Sequence, residues 1–222
     1  MSKDNDSNSF SISLSLEDLP NLEGIIKKYN SEKEVDSYKV YNSITEIPKN
    51  GIVLFLDTTG DSYKRDSIFR ITALKYRNFK QIDYFDTYIN IGNEITAINE
   101  CFMDIDFNAL SNAPNIKDVL NDFIYFIEDY PIVWHTNFKR SFIGKSLKDN
   151  NLEMIENNFF TTIKKARELV PKLKHYGLND LVNYFDIYVD NSESYNNREI
   201  FTCFQLVLEL HEIESNILKG RK

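Results

Sequence analysis

The chain has 222 residues, 42% hydrophobic and 14% aromatic, enough for one sizeable core and a small appendage. Its 26 Lys and Arg against 34 Asp and Glu leave a formal charge of −8, the wrong overall sign for a protein whose main task is wrapping a phosphate backbone, although a local basic patch remains open. No apolar run approaches the roughly twenty residues of a membrane span, and no charged-then-apolar leader opens the chain. Two cysteines, Cys101 and Cys203, without Cys-x-x-Cys spacing exclude structural zinc and a disulfide framework, so the expectation is a soluble cytoplasmic protein that touches no membrane.

In chain order, residues 1–9 are polar and read as a loose tail. Phe10, Ile12, Leu14 and Leu16 then alternate with Ser11, Ser13 and Ser15, the period of a strand with one apolar face that must dock on something, in cis or on a partner. Pro20 suits a first helical turn, and Leu22, Ile25, Ile26 and Tyr29 form a short apolar stripe behind it. Residues 1–48 are therefore assigned to an accessory segment and 49–222 to the main domain.

The main domain opens with a turn at Pro48-Lys49-Asn50-Gly51 and a strand over 52–56, apolar on both faces as a central strand would be. Residues 67–76 and 81–90 read as two strands joined by a hairpin through Arg77-Asn78-Phe79-Lys80. Val119, Leu120, Phe123, Ile124 and Ile127 recur at helical spacing, and Ile132-Val133-Trp134 reads as a short strand. Everything later is expected to be helical, over 138–148, 162–170, 178–184 and about 196–218. Strands crowd the first half and helices the second, which predicts mixed α/β layering.

Read without gaps, Leu54-Phe55-Leu56-Asp57-Thr58-Thr59-Gly60 resembles the first motif of the DEDDh 3′→5′ exonucleases, Phe-Asp-x-Glu-Thr-Thr-Gly, on the same buried strand. Further segments follow in that family's order. Ile68 to Tyr76 resembles its second strand and Asn112-Ala113-Pro114 the loop before its helix. Val133-Trp134-His135-Thr136-Asn137-Phe138 is similar to Val-x-His-Asn-x-x-Phe-Asp one residue shorter, and the segment from Thr161 to Leu169 to Asp-Thr-x-x-x-Ala-Arg. Tyr176-Gly177-Leu178-Asn179-Asp180-Leu181 and the long last helix complete a resemblance over residues 50–212, which extends to the proofreading exonucleases of bacterial replicative DNA polymerases. It implies a ribonuclease H-like mixed sheet flanked by helices.

The resemblance also implies four carboxylates holding two divalent metals roughly 4 Å apart, with a histidine as general base. Here the first Asp position is Phe55, the Glu position is Asp57, and the Asp after Phe138 is Lys139. Anchoring the last motif on Thr202 puts Glu193 at the histidine and Arg198 at the final aspartate. Four carboxylates worth about −4 become a set of about +1, which repels cations instead of offsetting their dehydration. Phe55 is read as core. Asp57 is read as a carboxylate capping the Thr58-Thr59-Gly60 turn, a salt-bridge partner or a lone metal ligand. Lys139 and Arg198 are read as pairing with Asp57 and Glu193 in an internal ion network, or as cations that receive a phosphate. His135 is expected to be a buried structural histidine, with His175 and His211 on the surface.

The reading is a catalytically degenerate exonuclease-like scaffold with no metal cofactor, binding a protein partner, through Phe10, Ile12, Leu14 and Leu16, or a nucleic-acid end. The alternative is an active Mg²⁺- or Mn²⁺-dependent 3′→5′ exonuclease whose ligands are relocated among Asp61, Asp66, Asp190, Glu193 and Glu199.

Overall fold

The computed structural model describes residues 43–92, 105–136, 139–188 and 195–220, all within one compact unit running from Tyr41 to the C-terminus. The tail, the alternating segment from Phe10 to Leu16, the 20–29 stripe, Cys101, Asn137, Phe138, Asp190 and Glu193 lie outside the described residues.

The sheet has the order β3-β2-β1-β4-β5. Strand β1, Asn50–Thr58, pairs antiparallel with β2, Ile68–Arg77, which pairs antiparallel with β3, Lys80–Tyr88. On its other side β1 runs parallel to β4, Ile132–Trp134, which is parallel to β5, Phe159–Thr161. The β2–β3 turn falls on the expected residues: Asn78 and Phe79 both take positive φ, 49° and 58°, the combination a two-residue turn needs to follow strand twist. Phe79 tolerates that backbone because its ring stacks on His211, 4.0 Å between centroids. His211 is thus half-buried against an aromatic ring, where the sequence placed it on the surface.

Helices cover both faces. The short α1, Phe107–Ser111, is followed by α2, Ile116–Ile127, and α3, Arg140–Asp149. Then come α4, Thr162–Leu169, α5, Leu178–Phe185, and α6, Tyr195–Gly220. Alternation along β1 sorts its side chains between two cores. Leu54 and Leu56 join Val119, Phe123 and Phe142 of α2 and α3, while Val53 and half-buried Phe55 face Ala166, Leu181 and Val207 of α4, α5 and α6. The result is a three-layer α/β/α arrangement, the mixed sheet flanked by helices that the sequence implied.

Two short elements depart from the expectation. Residues 159–161 form a strand where only helix was expected, and α1 forms where no element was assigned, its N-terminus capped by Asp106, which accepts from the Asn108 and Ala109 N–H groups. Residues 43–47, assigned to the accessory segment, join the main body: Ile44 N–H donates to Phe159 O at 2.8 Å and Ile47 is buried. Among the described residues no helix is long and apolar enough to cross a membrane.

Candidate functional site

Because β1, β4 and β5 are parallel, their C-terminal ends gather at one end of the sheet, the position where an α/β fold displays functional groups on loops. Asp57, His135 and Thr161 stand at these three ends.

Asp57 lies directly across from Arg70 of β2. Arg70 is 8% exposed and grips Asp86 of β3 with a fork, Nε to Oδ1 at 2.7 Å and a terminal nitrogen to Oδ2 at 2.6 Å, while its guanidinium lies 4.9 Å from the Tyr88 ring centroid. Burial works against its charge, but the Asp86 hydrogen bonds and the fields of Asp86, Tyr88 and Asp57 hold its pKa above the ordinary value. The cation facing Asp57 is therefore Arg70, which the sequence reading missed. Its signal was an arginine between Phe69 and Ile71, in a strand that also carries Lys75 and Arg77.

Lys139 precedes α3 and is half-buried. Its Nζ donates to Leu56 O at 2.6 Å, one residue from Asp57. It forms no ion pair among the described residues, so the expected partnership with Asp57 is replaced by one with the adjacent backbone carbonyl. A short strand end leaves that carbonyl without a ladder partner, and the ammonium supplies the missing donor. Arg198 lies half-buried in the first turns of α6, two residues before buried Ile200. Glu193, expected beside it, lies outside the described residues.

The turn after Asp57 is closed from elsewhere. Thr59 N–H donates to Ser67 O at 2.9 Å, Ser67 N–H returns to Thr59 Oγ1 at 3.0 Å, and Asp66 accepts from Ser62 N–H at 2.7 Å. A Cβ at Gly60 would stand 2.5 Å from that Asp66 oxygen, so the turn needs glycine there. Among the described residues no three His, Cys, Asp or Glu side chains lie together in a group that could hold a metal ion.

His135 is committed to structure. Its Nε2 lies 3.0 Å from Tyr176 O, which only accepts, so Nε2 carries the proton; Nδ1, 2.8 Å from Thr162 Oγ1, accepts in the neutral ring. The network continues to Cys203, buried and hydrogen-bonded to Thr162, whose thiol is pushed up to about 12 by burial. Burial lowers the His135 pKa, with the Tyr176 hydrogen bond opposing. The unfolded chain thus binds this proton more readily. Stability contributed by neutral His135 is full above about pH 6.5 and declines as pH falls through the window below it, with a slope no steeper than about 1.4 kcal/mol per pH unit. Urea midpoints measured between neutral pH and mild acid should show this loss, and His135→Gln should flatten it; an equal slope in both proteins would assign the effect to other groups.

A family model described as exonuclease matches residues 54–192. The PolC-type DNA polymerase III of Caldanaerobacter subterraneus is 34% identical over 137 residues, covering 61% of this chain and 10% of the polymerase. The Streptococcus agalactiae counterpart is 26% identical over 199 residues, 87% of this chain and 14% of that protein. This chain spans only about a tenth of the length of such polymerases. In fold it is similar to a 3′-exonuclease solved in recognition of the histone mRNA stem-loop 3′ end, with a TM-score of 0.63, 10% identity, and coverage of 76% of this chain and 84% of that one. It is likewise similar to Escherichia coli exonuclease I in complex with a dT13 oligonucleotide, with a TM-score of 0.62, 11% identity, and coverage of 77% and 43%.

Proposed function

The chain belongs to the exonuclease family, and from that premise we propose that it is a non-hydrolysing member, a scaffold that holds a nucleic-acid end without cutting it. The observation that carries this reading is the Lys139 ammonium, 2.6 Å from Leu56 O beside Asp57, with buried Arg70 across the strand from that same carboxylate. Two internal cations flank the one carboxylate that remains at the motif positions on β1 and before α3. A divalent ion approaching Asp57 would meet one carboxylate offset by nearby cations, Arg70 being shared with Asp86, where the family chemistry needs a cluster of negative oxygens to offset dehydration. Phe55, packed against the α6-side core, contributes no donor. This donor set does not fit a pair of divalent cations, and no hydrolytic step is assigned to it.

The same charges suit a phosphate. Lys139 has three N–H donors, of which the Leu56 carbonyl takes one, and a guanidinium such as that of Arg198 matches a phosphate in shape and charge. In the scaffold reading these two residues contact the terminal phosphates.

Labelled single-stranded and mismatched oligonucleotides incubated with the protein and Mg²⁺ or Mn²⁺ should keep their length. Loss of even one metal-stabilised charge costs a two-metal site several kcal/mol of transition-state stabilisation, and most of the ligand positions are replaced here. Metal-dependent shortening that vanishes in Asp57→Ala would overturn the proposal in favour of an exonuclease with relocated ligands.

A further inference from the structure

Between residues 162 and 176 stand five cations, Lys164, Lys165, Arg167, Lys172 and Lys174, against one acid, Glu168, in a chain whose overall charge is −8. Lys165 is buried and spent internally, on Glu168 at 3.1 Å and Glu214 at 2.9 Å. That pairing also uses the only acid of the stretch. The other four cations are exposed and form no ion pair among the described residues.

Their placement is fixed. Lys164 and Arg167 are three residues apart and share a face of α4. The segment after α4 folds back on it, because Tyr176 Oη donates to Val170 O at 2.7 Å and the Arg167 guanidinium lies 5.5 Å from the Tyr176 ring centroid. Lys172 and Lys174 ride on that returning segment. Tyr176 also accepts from His135 at the end of β4, so the basic strip is anchored to the sheet end that carries Lys139. The following helix, α5, leads to two open aromatic rings, Tyr184 at 54% and Tyr188 at 83% exposure.

We propose that Lys164, Arg167, Lys172 and Lys174 form a track for the phosphate backbone of a single-stranded nucleic acid whose end is held at the Lys139 site. The inference rests on the scaffold reading and adds where the strand leaves it. A run of exposed cations without ion-pair partners among the described residues, in a chain of net charge −8, attracts a regularly spaced polyanion by counterion release. Exposed tyrosines next in the chain favour bases over an acidic peptide, because they stack on the former and gain little from the latter.

The test measures fluorescence anisotropy of a labelled oligothymidylate about twenty nucleotides long, over a range of salt, with no divalent metal. The double variant Lys172→Glu/Lys174→Glu should weaken binding at least about tenfold at low salt and reduce the salt slope by about 1.4, since each single-strand phosphate contact contributes about 0.7. The control Lys80→Glu/Lys117→Glu changes the net charge equally, at exposed positions on the β2–β3 turn and α2, and should change affinity only slightly. Equal effects of the two variants would overturn the track. Binding that ignores both but falls in Lys139→Ala would keep the scaffold reading and reject the track. Competition by polyglutamate as effective as by the oligonucleotide would reassign the strip to an acidic protein. Shortening of the oligonucleotide once Mg²⁺ is restored would reject the scaffold reading while leaving the effect of the strip on affinity in place.

Discussion

Arg70→Met is expected to destabilise the protein by about 2–4 kcal/mol, read as a fall in the urea midpoint with little change in m-value. Arg70 is 8% exposed, and its fork satisfies both oxygens of Asp86. Removing one member of such a pair leaves the other desolvated and uncompensated, which costs more than the pair itself contributes. Asp86 lies on the edge strand, where water partly takes over, and this keeps the loss toward the lower part of the range. Asp57 supplies the rest: without Arg70 it loses the cation across the strand. Asp86→Asn should cost less than Arg70→Met, because the guanidinium keeps Asp57 and the Tyr88 ring. Arg70→Met with Asp86→Leu should recover much of the loss, since replacing both partners by apolar groups removes the unpaired charge. A neutral single variant would show that the pair is not what holds this end of β2 to β3.

The opposition of Asp57 and Arg70 could not be read from the sequence, and the reason is register. The hairpin turn at Asn78 and Phe79 was legible from its residues, but β1 and β2 are joined through the long 59–67 loop, and their ladder slips between Asp57 and Thr58. A one-residue slip sends a side chain to the other face of a sheet, so facing pairs follow from the bulge and not from spacing alone. The central strand was legible because residues 52–56 are apolar on both faces, and α2 because its stripe runs over three turns. Strand β5 was not, since three residues are too few for any period to declare itself.

At the site, positions were legible and partners were not. The expectations at Phe55, Asp57 and Lys139, and the charge they sum to, rest on motif order alone. That Lys139 turns to a backbone carbonyl depends on Leu56 O being unpaired at the strand end, which only the three-dimensional ladder reveals. The same holds for His135. Its tautomer is set by Thr162 and Tyr176, 27 and 41 residues further along the chain, and its neutral state by burial.

The start of β1 gives the second large effect. Gly51 pairs with Tyr76 at the start of β1. A Cβ there would stand 2.6 Å from Tyr76 Oη and 2.9 Å from Cζ, inside any real contact distance. The ring has nowhere to go: it is fully buried, its hydroxyl donates to Pro48 O at 3.0 Å, and Phe204 packs against it at 5.1 Å. Burial also pushes the phenol well above its ordinary pKa, so the hydroxyl remains a donor throughout the accessible pH range. Gly51→Ala should therefore cost about 1–3 kcal/mol, the usual effect of overpacking a rigid core. Tyr76→Phe alone should cost about 1 kcal/mol, by leaving the Pro48 carbonyl unpaired. In the double variant the atom nearest the new methyl is gone, so the two losses should sum to less than their separate values, a coupling that a double-mutant cycle in urea measures directly. Additive losses would mean that β1 shifts away from β2 to admit the methyl. Such a shift would move Asp57 relative to Arg70, and the stability difference between Arg70 and Arg70→Met in the Gly51→Ala background would shrink with it.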